Sequence, residues 1–409
     1  MRRGLVITLF LPPLLLLLCP PLLCSEPESP WLLTTDTLPS DTSQSKFNPS
    51  LSNGELAVTA YLRPGPSVSP SIFVNCLYSG QAWRSHRARL PNYSNYLLRL
   101  QPQQGGELWP EYRLDLARAK FEASFASPEF WVSHELLVHR TFTSTILNIV
   151  TAGPATPSQS SLQVDIDLEV GEQSDDITNT GTTEMEVREN QLGIERLWYR
   201  CEETTNLEFS SYQPQPSPVC IAWVEPWFSS ISLTGNDLSS QQRVFITIVE
   251  SSLENILAEL ELVLDHSLAE LLSLHYSAMS SLWSSGLVEV SGDLELSRVL
   301  LSSQFYLLSS LPSPQPARPR PQFCGLSPGS LARGLEGQDY QGHSFWDTET
   351  WMFPPVLLLH PNIARSLLEY RWARLRQAED YAASSGWEGA RFPWESAFTG
   401  EENCQFTFY

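Results

Sequence analysis

The region from about residue 30 to residue 250 alternates apolar and polar positions. In one stretch, Leu162, Val164, Ile166, Leu168 and Val170 are separated by single polar residues. A period of two predicts a strand with one buried face and one solvated face. Similar runs occur at Leu56–Leu62, Ser71–Leu77, Phe130–Val138, Thr145–Thr151, Val219–Val224 and Val244–Val249. Many short strands without intervening helices favour an antiparallel β-sandwich.

The period changes after Ser251. Ser251 and Glu254 have the spacing of a capping box, and apolar residues then follow helical spacing from Leu253 as far as Trp283. Gly286 is placed where such a helical segment would stop. The pattern therefore predicts a helical linker after the sandwich.

Three more helices are predicted towards the C-terminus. The first spans Leu294–Leu308 and precedes a proline-rich loop, which cannot form regular helix. The second spans Thr348–Leu359. The third begins near Pro361, a residue favoured in the first helical turn, and ends near Gly386.

The charge balance is acidic. The 409 residues include 25 basic and 46 acidic side chains, which gives a net charge of −21. This balance disfavours nucleic acid and anionic membrane surfaces as partners. The plain alternative is that the charge serves solubility.

Residues 1–24 have the pattern of a secretory signal peptide. Arg2 and Arg3 precede a short apolar run, which Pro12 and Pro13 interrupt. Because the run is shorter than a membrane span, a cleaved signal is favoured over an anchor. Use of the signal predicts a secreted, extracellular or lysosomal protein, and the alternative is a cytoplasmic one.

Five cysteines lie outside this leader. The pair Cys201 and Cys220 is the candidate disulfide, and the alternative is five buried thiols. Asn92 begins an Asn-Tyr-Ser glycosylation sequon, which is meaningful only if the chain is secreted.

Two short blocks carry the candidate chemistry. They are Gly342–Glu349 and Gly389–Ser396, and each places a tryptophan directly before a carboxylate, in Trp346-Asp347 and in Trp394-Glu395. Glycine and aromatic residues of this kind are typical of sugar-binding loops, in which a tryptophan face stacks on the apolar side of a sugar.

Asp347 and Glu349 do not fit the two carboxyl groups that glycosidases place across the scissile bond. On a helix, residues two apart point about 200° away from each other. We therefore favour Asp347 alone as a ligand for sugar hydroxyls. The alternative is that Asp347 caps the following helix, and both roles are compatible.

The second block leaves similar alternatives. Arg391 either pairs with Glu395 or reaches a hydroxyl, and an isolated Trp-Glu pair is often structural. His343 is interpreted as a hydrogen-bonding loop residue, because no Cys/His cluster of a metal site lies near it in the sequence. Glu401 and Glu402 are interpreted as solvated charges.

Both blocks together resemble glycoside hydrolase family 65. The resemblance implies an α+β multidomain chain: an N-terminal antiparallel β-sandwich at residues 25–250, a helical linker at 251–286, and the start of an (α/α)6 barrel at 287–409. It also implies an inverting mechanism. By the family pattern, Trp346 and Asp347 would bind the terminal glucose, and Arg391, Trp394 and Glu395 would line the same pocket.

Within the family, the resemblance implies an α-glucosidase that removes glucose from glucosylgalactosyl-hydroxylysine in collagen or its fragments. A hydrolase or phosphorylase of trehalose, maltose or kojibiose is the enzymatic alternative. Neither cofactor, metal, nucleic acid nor membrane anchor is expected.

The family places its general acid in a Gln-Glu motif downstream of the second block, which this sequence does not reach before Tyr409. No catalytic residue is therefore predicted within the chain. The corresponding expectation is either a truncated isoform or a fragment of a longer sequence, with an incomplete barrel that is inactive alone. The non-enzymatic alternative is a truncated isoform that binds carbohydrate without turnover.

Overall fold

A computed structural model describes residues 29–39, 48–61, 69–103, 107–224, 230–237, 239–319 and 323–404. The predicted signal peptide lies outside them. The strands are β1 (Leu32–Thr35), β2 (Ser50–Ser52), β3 (Leu56–Thr59), β4 (Ser71–Val74), β5 (Tyr78–Ser79), β6 (His86–Arg87), β7 (Leu90–Pro91), β8 (Tyr96–Pro102), β9 (Trp109–Asp115), β10 (Lys120–Ala126), β11 (Phe130–Val138), β12 (Thr145–Pro154), β13 (Ser161–Leu168), β14 (Thr183–Glu186), β15 (Arg196–Glu203), β16 (Pro218–Trp223), β17 (Ser230–Thr234), β18 (Gln241–Glu250), β19 (Ser344–Phe345) and β20 (Glu395–Ser396). The helices are α1 (Leu253–Leu264), α2 (Leu268–Ser285), α3 (Leu294–Ser309), α4 (Phe353–Leu359), α5 (Pro361–Trp372) and α6 (Leu375–Ser384).

The N-terminal region consists mainly of antiparallel sheets. The largest has nine strands in the order β1-β9-β10-β11-β12-β18-β16-β15-β14, and a three-stranded sheet has the order β17-β13-β8. Val164 and Leu233 of the smaller sheet share one apolar cluster with Val150 and Phe245 of the larger sheet. The β-rich N-terminal region and the helical C-terminal part that the sequence predicted are both confirmed.

A second core joins the β-rich region to the helices. Leu51 and Ile72, from the four-stranded sheet β2-β3-β4-β7, belong to one cluster with Met279 of α2 and Phe305 of α3. The helices that follow the sheets therefore pack back onto them through apolar side chains.

The linker contains two helices with different caps from the predicted one. Ser252 caps α1 by accepting a hydrogen bond from the backbone N–H of Asn255, so the capping box expected at Ser251 and Glu254 is wrong. A true capping box joins Ser267 and Glu270. It starts a new helix within the long apolar run, and Gly286 ends that helix as predicted.

The helices around the motif blocks are also divided. Residues Thr348–Met352 form a π-helical turn before α4, and the helix predicted from Pro361 to Gly386 breaks at Ala373 and Arg374. Arg374 is buried and donates to the carbonyl oxygens of Phe398 and Tyr370. The contact with Phe398 joins two separate segments, so local periodicity could not predict the break.

The described residues form two disulfides. Cys201 and Cys220 are register partners on β15 and β16, which confirms the predicted pair. Cys76 and Cys324, 248 residues apart in sequence, form a second disulfide. The alternative of five buried thiols is therefore wrong. The second disulfide ties the β-rich region to the segment that precedes the first motif block.

The predicted glycosylation sequon is buried. Asn92 is 1% exposed, and its Oδ1 accepts hydrogen bonds from the backbone N–H and the hydroxyl of Ser94. A glycan requires a side chain that reaches solvent. The folded structure therefore argues against Asn92 as a glycosylation site.

Across the described parts of the chain, every helix falls short of the combined length and apolar character that a bilayer span needs.

Candidate carbohydrate-binding site

Strand pairing brings the two motif blocks together. β19 and β20 are antiparallel, with Phe345 opposite Glu395 and Ser344 opposite Ser396. Trp346 directly follows β19, and Trp394 directly precedes β20. Two tryptophans that are 48 residues apart in sequence therefore meet at the same end of a short ladder.

The two indoles form the centre of an aromatic cluster. Their ring centroids lie 5.5 Å apart with an interplanar angle of 32°. Phe345 supports Trp394 from the side, in an edge-on contact at 5.6 Å. Trp346 is 36% exposed and Trp394 is 41% exposed, so both rings offer a face to solvent. Amphipathic rings held in this way suit a ligand with both apolar and hydroxyl surfaces.

These rings border a cavity of about 630 Å³. Its volume lies in the range of small-ligand sites. Its other lining residues are Glu349, Thr350, Arg371, Tyr381, Arg391, Phe392, Pro393, Glu402 and Cys404. The structure thus brings together three of the five predicted binding residues: Trp346, Arg391 and Trp394.

Two arginines and two carboxylates line the cavity. The Nε of Arg371 donates to Oε1 of Glu349 at 2.6 Å. Arg391 lies over the ring of Tyr381 at 4.4 Å and donates to the hydroxyl of Ser385 at 3.1 Å. Burial raises the pKa of the Tyr381 phenol, and the charge of Glu402 raises it further. The phenol therefore stays protonated as a hydrogen-bond donor at neutral pH.

Asp347 lies next to the cavity rather than in its lining. The side chain is half-buried and makes no capping hydrogen bond to the helical turn that follows. Within the described residues, its carboxylate has neither a hydrogen bond nor an ion pair. The capping alternative therefore has no support here, and the carboxylate is available to a ligand.

Glu395 pairs with His343 and not with Arg391. Oε2 of Glu395 lies 3.0 Å from Nδ1 of His343, and Nε2 of His343 lies 2.7 Å from the carbonyl oxygen of Ser85. His343 is fully buried. It is therefore a hydrogen-bonding loop residue, as predicted. Glu395 itself does not line the cavity.

Glu402 is a structural residue, so its interpretation as a solvated charge is wrong. Its carboxylate accepts hydrogen bonds from the backbone N–H groups of Trp394, Glu395 and Cys404. The amides of Trp394 and Cys404 lie outside the strands and helices and need acceptors. Glu402 thereby fixes the loop that carries Trp394.

Sequence reasoning missed several cavity residues, among them Arg371, Tyr381 and Phe392. The first two lie on α5 and α6, where their spacing is that of ordinary helix surface. Only the meeting of these helices with the motif loops gives them a common role. Across the described parts of the chain, no three His, Cys, Asp or Glu side chains cluster as a metal site would require.

Comparisons with known proteins agree with this arrangement. Residues 329–408 match the family described as "Glycosyl hydrolase family 65 central catalytic domain". The chain is 29% identical over 393 residues to protein-glucosylgalactosylhydroxylysine glucosidase of Gallus gallus, covering 93% of this chain and 51% of that protein. It is 44% identical over 134 residues to kojibiose hydrolase of Flavobacterium johnsoniae, covering 33% of this chain and 18% of that protein.

A solved structure has a similar fold. It is that of a putative kojibiose phosphorylase from human microbiome, with a TM-score of 0.58 and 16% identity over 92% of this chain and 53% of that one. The chain spans about half the length of the glucosidases that it matches along most of its sequence. The resemblance of this chain to glycoside hydrolase family 65, first indicated by the two Trp-carboxylate blocks, is thereby confirmed.

Proposed function

We propose that the cavity between the motif blocks binds the terminal glucose of glucosylgalactosyl-hydroxylysine, in collagen or its fragments, as part of an inverting α-glucosidase. The observation that carries the proposal is the meeting of Trp346 and Trp394 over a cavity that also contains Arg371 and Arg391. The glucosidases that match most of this chain act, by their names, on this substrate.

Each side chain would have a definite task in binding. The tryptophan faces would stack on the apolar surface of the sugar. The free carboxylate of Asp347 would accept hydrogen bonds from hydroxyl groups, and the guanidinium of Arg391 would donate them. Glu395 does not line the cavity and would contribute to sugar binding indirectly, because it directly follows Trp394 in the chain.

The two carboxylates of the cavity are already engaged. Glu349 is paired with Arg371, and Glu402 accepts three backbone hydrogen bonds. Contacts of this kind hold a carboxylate in place, whereas a general acid must lie within hydrogen-bond reach of the glycosidic oxygen. The described cavity thus supports sugar binding by these residues and leaves proton transfer to other groups.

A kojibiose-type hydrolase or phosphorylase is the second candidate function. Shorter stretches of the chain are similar to such proteins, for example with 55% identity over 71 residues to kojibiose phosphorylase of Escherichia coli. Dependence of turnover on inorganic phosphate separates a phosphorylase from a hydrolase. Binding without turnover would instead support a carbohydrate-binding role for this chain.

Replacing Trp394 by alanine should weaken sugar binding about tenfold or more, because the variant loses one aromatic wall of the cavity. Isothermal titration with glucosylgalactose, kojibiose, trehalose and maltose would measure the loss of affinity and rank the four sugars. Trp387→Ala is the matched control, since Trp387 is 70% exposed in the same segment and does not line the cavity. Equal affinities of the two variants would contradict the proposed site.

We also propose that the chain enters the secretory pathway, towards a secreted or lysosomal destination. The two disulfides support this proposal, since such bonds form and persist mainly in oxidising compartments. A cytoplasmic protein would be expected to keep these four thiols reduced.

A further inference from the structure

The imidazole of His343 joins the β-rich region to the proposed sugar site. Its side chain has no exposed surface, and each ring nitrogen faces one partner. Nε2 lies 2.7 Å from the carbonyl oxygen of Ser85, which precedes β6. Nδ1 lies 3.0 Å from Oε2 of Glu395, the first residue of β20.

The partners determine how many hydrogens this ring and its neighbour hold. A carbonyl oxygen can only accept a hydrogen bond, so Nε2 must carry a hydrogen. An ionised carboxylate is also only an acceptor, and it would repel a bare Nδ1. A second hydrogen must therefore lie between Nδ1 and Oε2. The pair is either an imidazolium with a carboxylate or a neutral ring with a carboxylic acid, and both forms fix the direction of Glu395.

Ser85 belongs to a segment that is itself held firmly. Its N–H donates to the carbonyl oxygen of Ala82, and its own carbonyl oxygen also accepts from Gln341 at 2.8 Å. Two residues further on, the buried guanidinium of Arg87 donates to four carbonyl oxygens between residues 330 and 342. The backbone that leads into His343 is therefore fixed from the β-rich region.

The direction of Glu395 affects the cavity. Its side chain is 20% exposed and turned towards His343. Arg391 therefore does not pair with Glu395 and lines the cavity instead. The backbone of Glu395 continues from Trp394 and pairs with Phe345, which contacts both tryptophans. A movement of Glu395 would therefore move the wall on which the sugar is proposed to stack.

We infer that His343 is a positioning residue, which holds Glu395, and through it Trp394, in the geometry that binds glucose. Ser85 of the β-rich region anchors the ring. This inference rests on the proposed function. The β-rich region would then affect the affinity of a site whose lining, among the described residues, comes entirely from residues 346–404.

Nitrogen NMR of protein labelled with ¹⁵N-histidine tests the hydrogen between the pair without any sugar. In the wild type, the Nδ1 signal should report a hydrogen bond with a shared or fully transferred proton. In Glu395→Leu, the same signal should change to that of a bare nitrogen in a neutral ring. The inference would be overturned if the wild-type Nδ1 signal is that of an unprotonated nitrogen and is unchanged in Glu395→Leu.

Titration with glucosylgalactose tests the positioning role. His343→Phe keeps a ring but loses both hydrogen bonds, and we expect about tenfold weaker binding. Glu395→Gln keeps a hydrogen-bonding partner for Nδ1 in either form of the pair, so it should retain more affinity than Glu395→Leu. If His343→Phe fails to fold, the relative sugar affinities of Glu395→Gln and Glu395→Leu still test the positioning role.

The two proposals fail in different ways. Wild-type protein that binds the sugar, with His343→Phe and both Glu395 variants at the same affinity, would overturn the positioning role and leave the site intact. Wild-type protein that binds none of the sugars would contradict the proposed function, whereas the NMR experiment would still report on the pair.

Discussion

Lowering the pH from 7 to 5 is expected to reduce the free energy of unfolding by about 4 kcal/mol or more, because several histidines are buried in neutral form. Burial lowers the pKa of His134 and of His139 to about 4 each, from an ordinary value of 6.5. Burial also holds the pKa of His275 well below its usual range, and the nearby His139 lowers it further.

The direction of this pH effect follows from the protonation of the histidines in the folded and unfolded chain. Between pH 6.5 and pH 4, the unfolded chain takes up protons on these rings and the folded chain does not, so stability is lost as the pH falls. Each of His134 and His139 contributes about 2 kcal/mol of this loss between pH 7 and pH 5. His139 and His275 donate from Nε2 to backbone carbonyl oxygens and accept backbone N–H groups at Nδ1, so protonation would break existing hydrogen bonds.

Denaturant unfolding at several pH values, above the range where carboxyl groups titrate, measures this loss. One histidine acts in the opposite direction: burial lowers the pKa of His86, but the hydrogen bond and charge of Asp176 outweigh it, and the net shift is upward. His134→Leu should cost stability at pH 7.5, since the ring donates to Asn148, and should flatten the pH dependence. If the free energy of unfolding of the wild type is constant from pH 7 to pH 5, the buried histidines are not neutral in the way proposed.

Removal of the Cys76–Cys324 disulfide is expected to have the second large effect. It closes a sequence separation of 248 residues, for which the chain-entropy relation gives about 5.5 kcal/mol, against about 3 kcal/mol for the 19-residue separation of Cys201 and Cys220. The double variant Cys76→Ser/Cys324→Ser should therefore unfold at clearly lower denaturant concentration than the wild type.

The matched control is Cys201→Ser/Cys220→Ser, which removes a bond between neighbouring strands. Cys324 also packs close to the second motif block, since it shares a buried cluster with Tyr370, and Tyr370 donates to the hydroxyl of Ser396. We expect only the first double variant to weaken sugar binding as well as stability. If removing Cys76–Cys324 costs less stability than removing Cys201–Cys220, the larger contribution expected of the long-range disulfide is wrong.

Local patterns predicted much of the fold. The alternation in β13 placed Leu162, Val164 and Ile166 on the buried face, where they lie. Helix ends were harder: Ser252 competes with Ser251 for the same cap, and a capping box at Ser267 divides one apolar run into two helices. A periodic pattern indicates an element, whereas its ends depend on single hydrogen bonds.

The site was predicted in part. The two blocks identified Trp346 and Trp394, because each block is local in sequence. Ser85, a partner of His343, and Cys324, the partner of Cys76, lie on distant segments, so no spacing in the sequence indicates them. Arg371 reaches the cavity only because α5 packs beside the first block. Long-range contacts of this kind become visible only in the folded chain.

A crystal structure of the protein soaked with glucosylgalactose would show whether the cavity between the motif blocks binds a sugar. We expect density for one hexose ring in the cavity, stacked on Trp346 or Trp394 and within hydrogen-bond distance of Asp347 or Arg391. An empty cavity at a saturating sugar concentration, or a sugar bound only elsewhere on the chain, would contradict it.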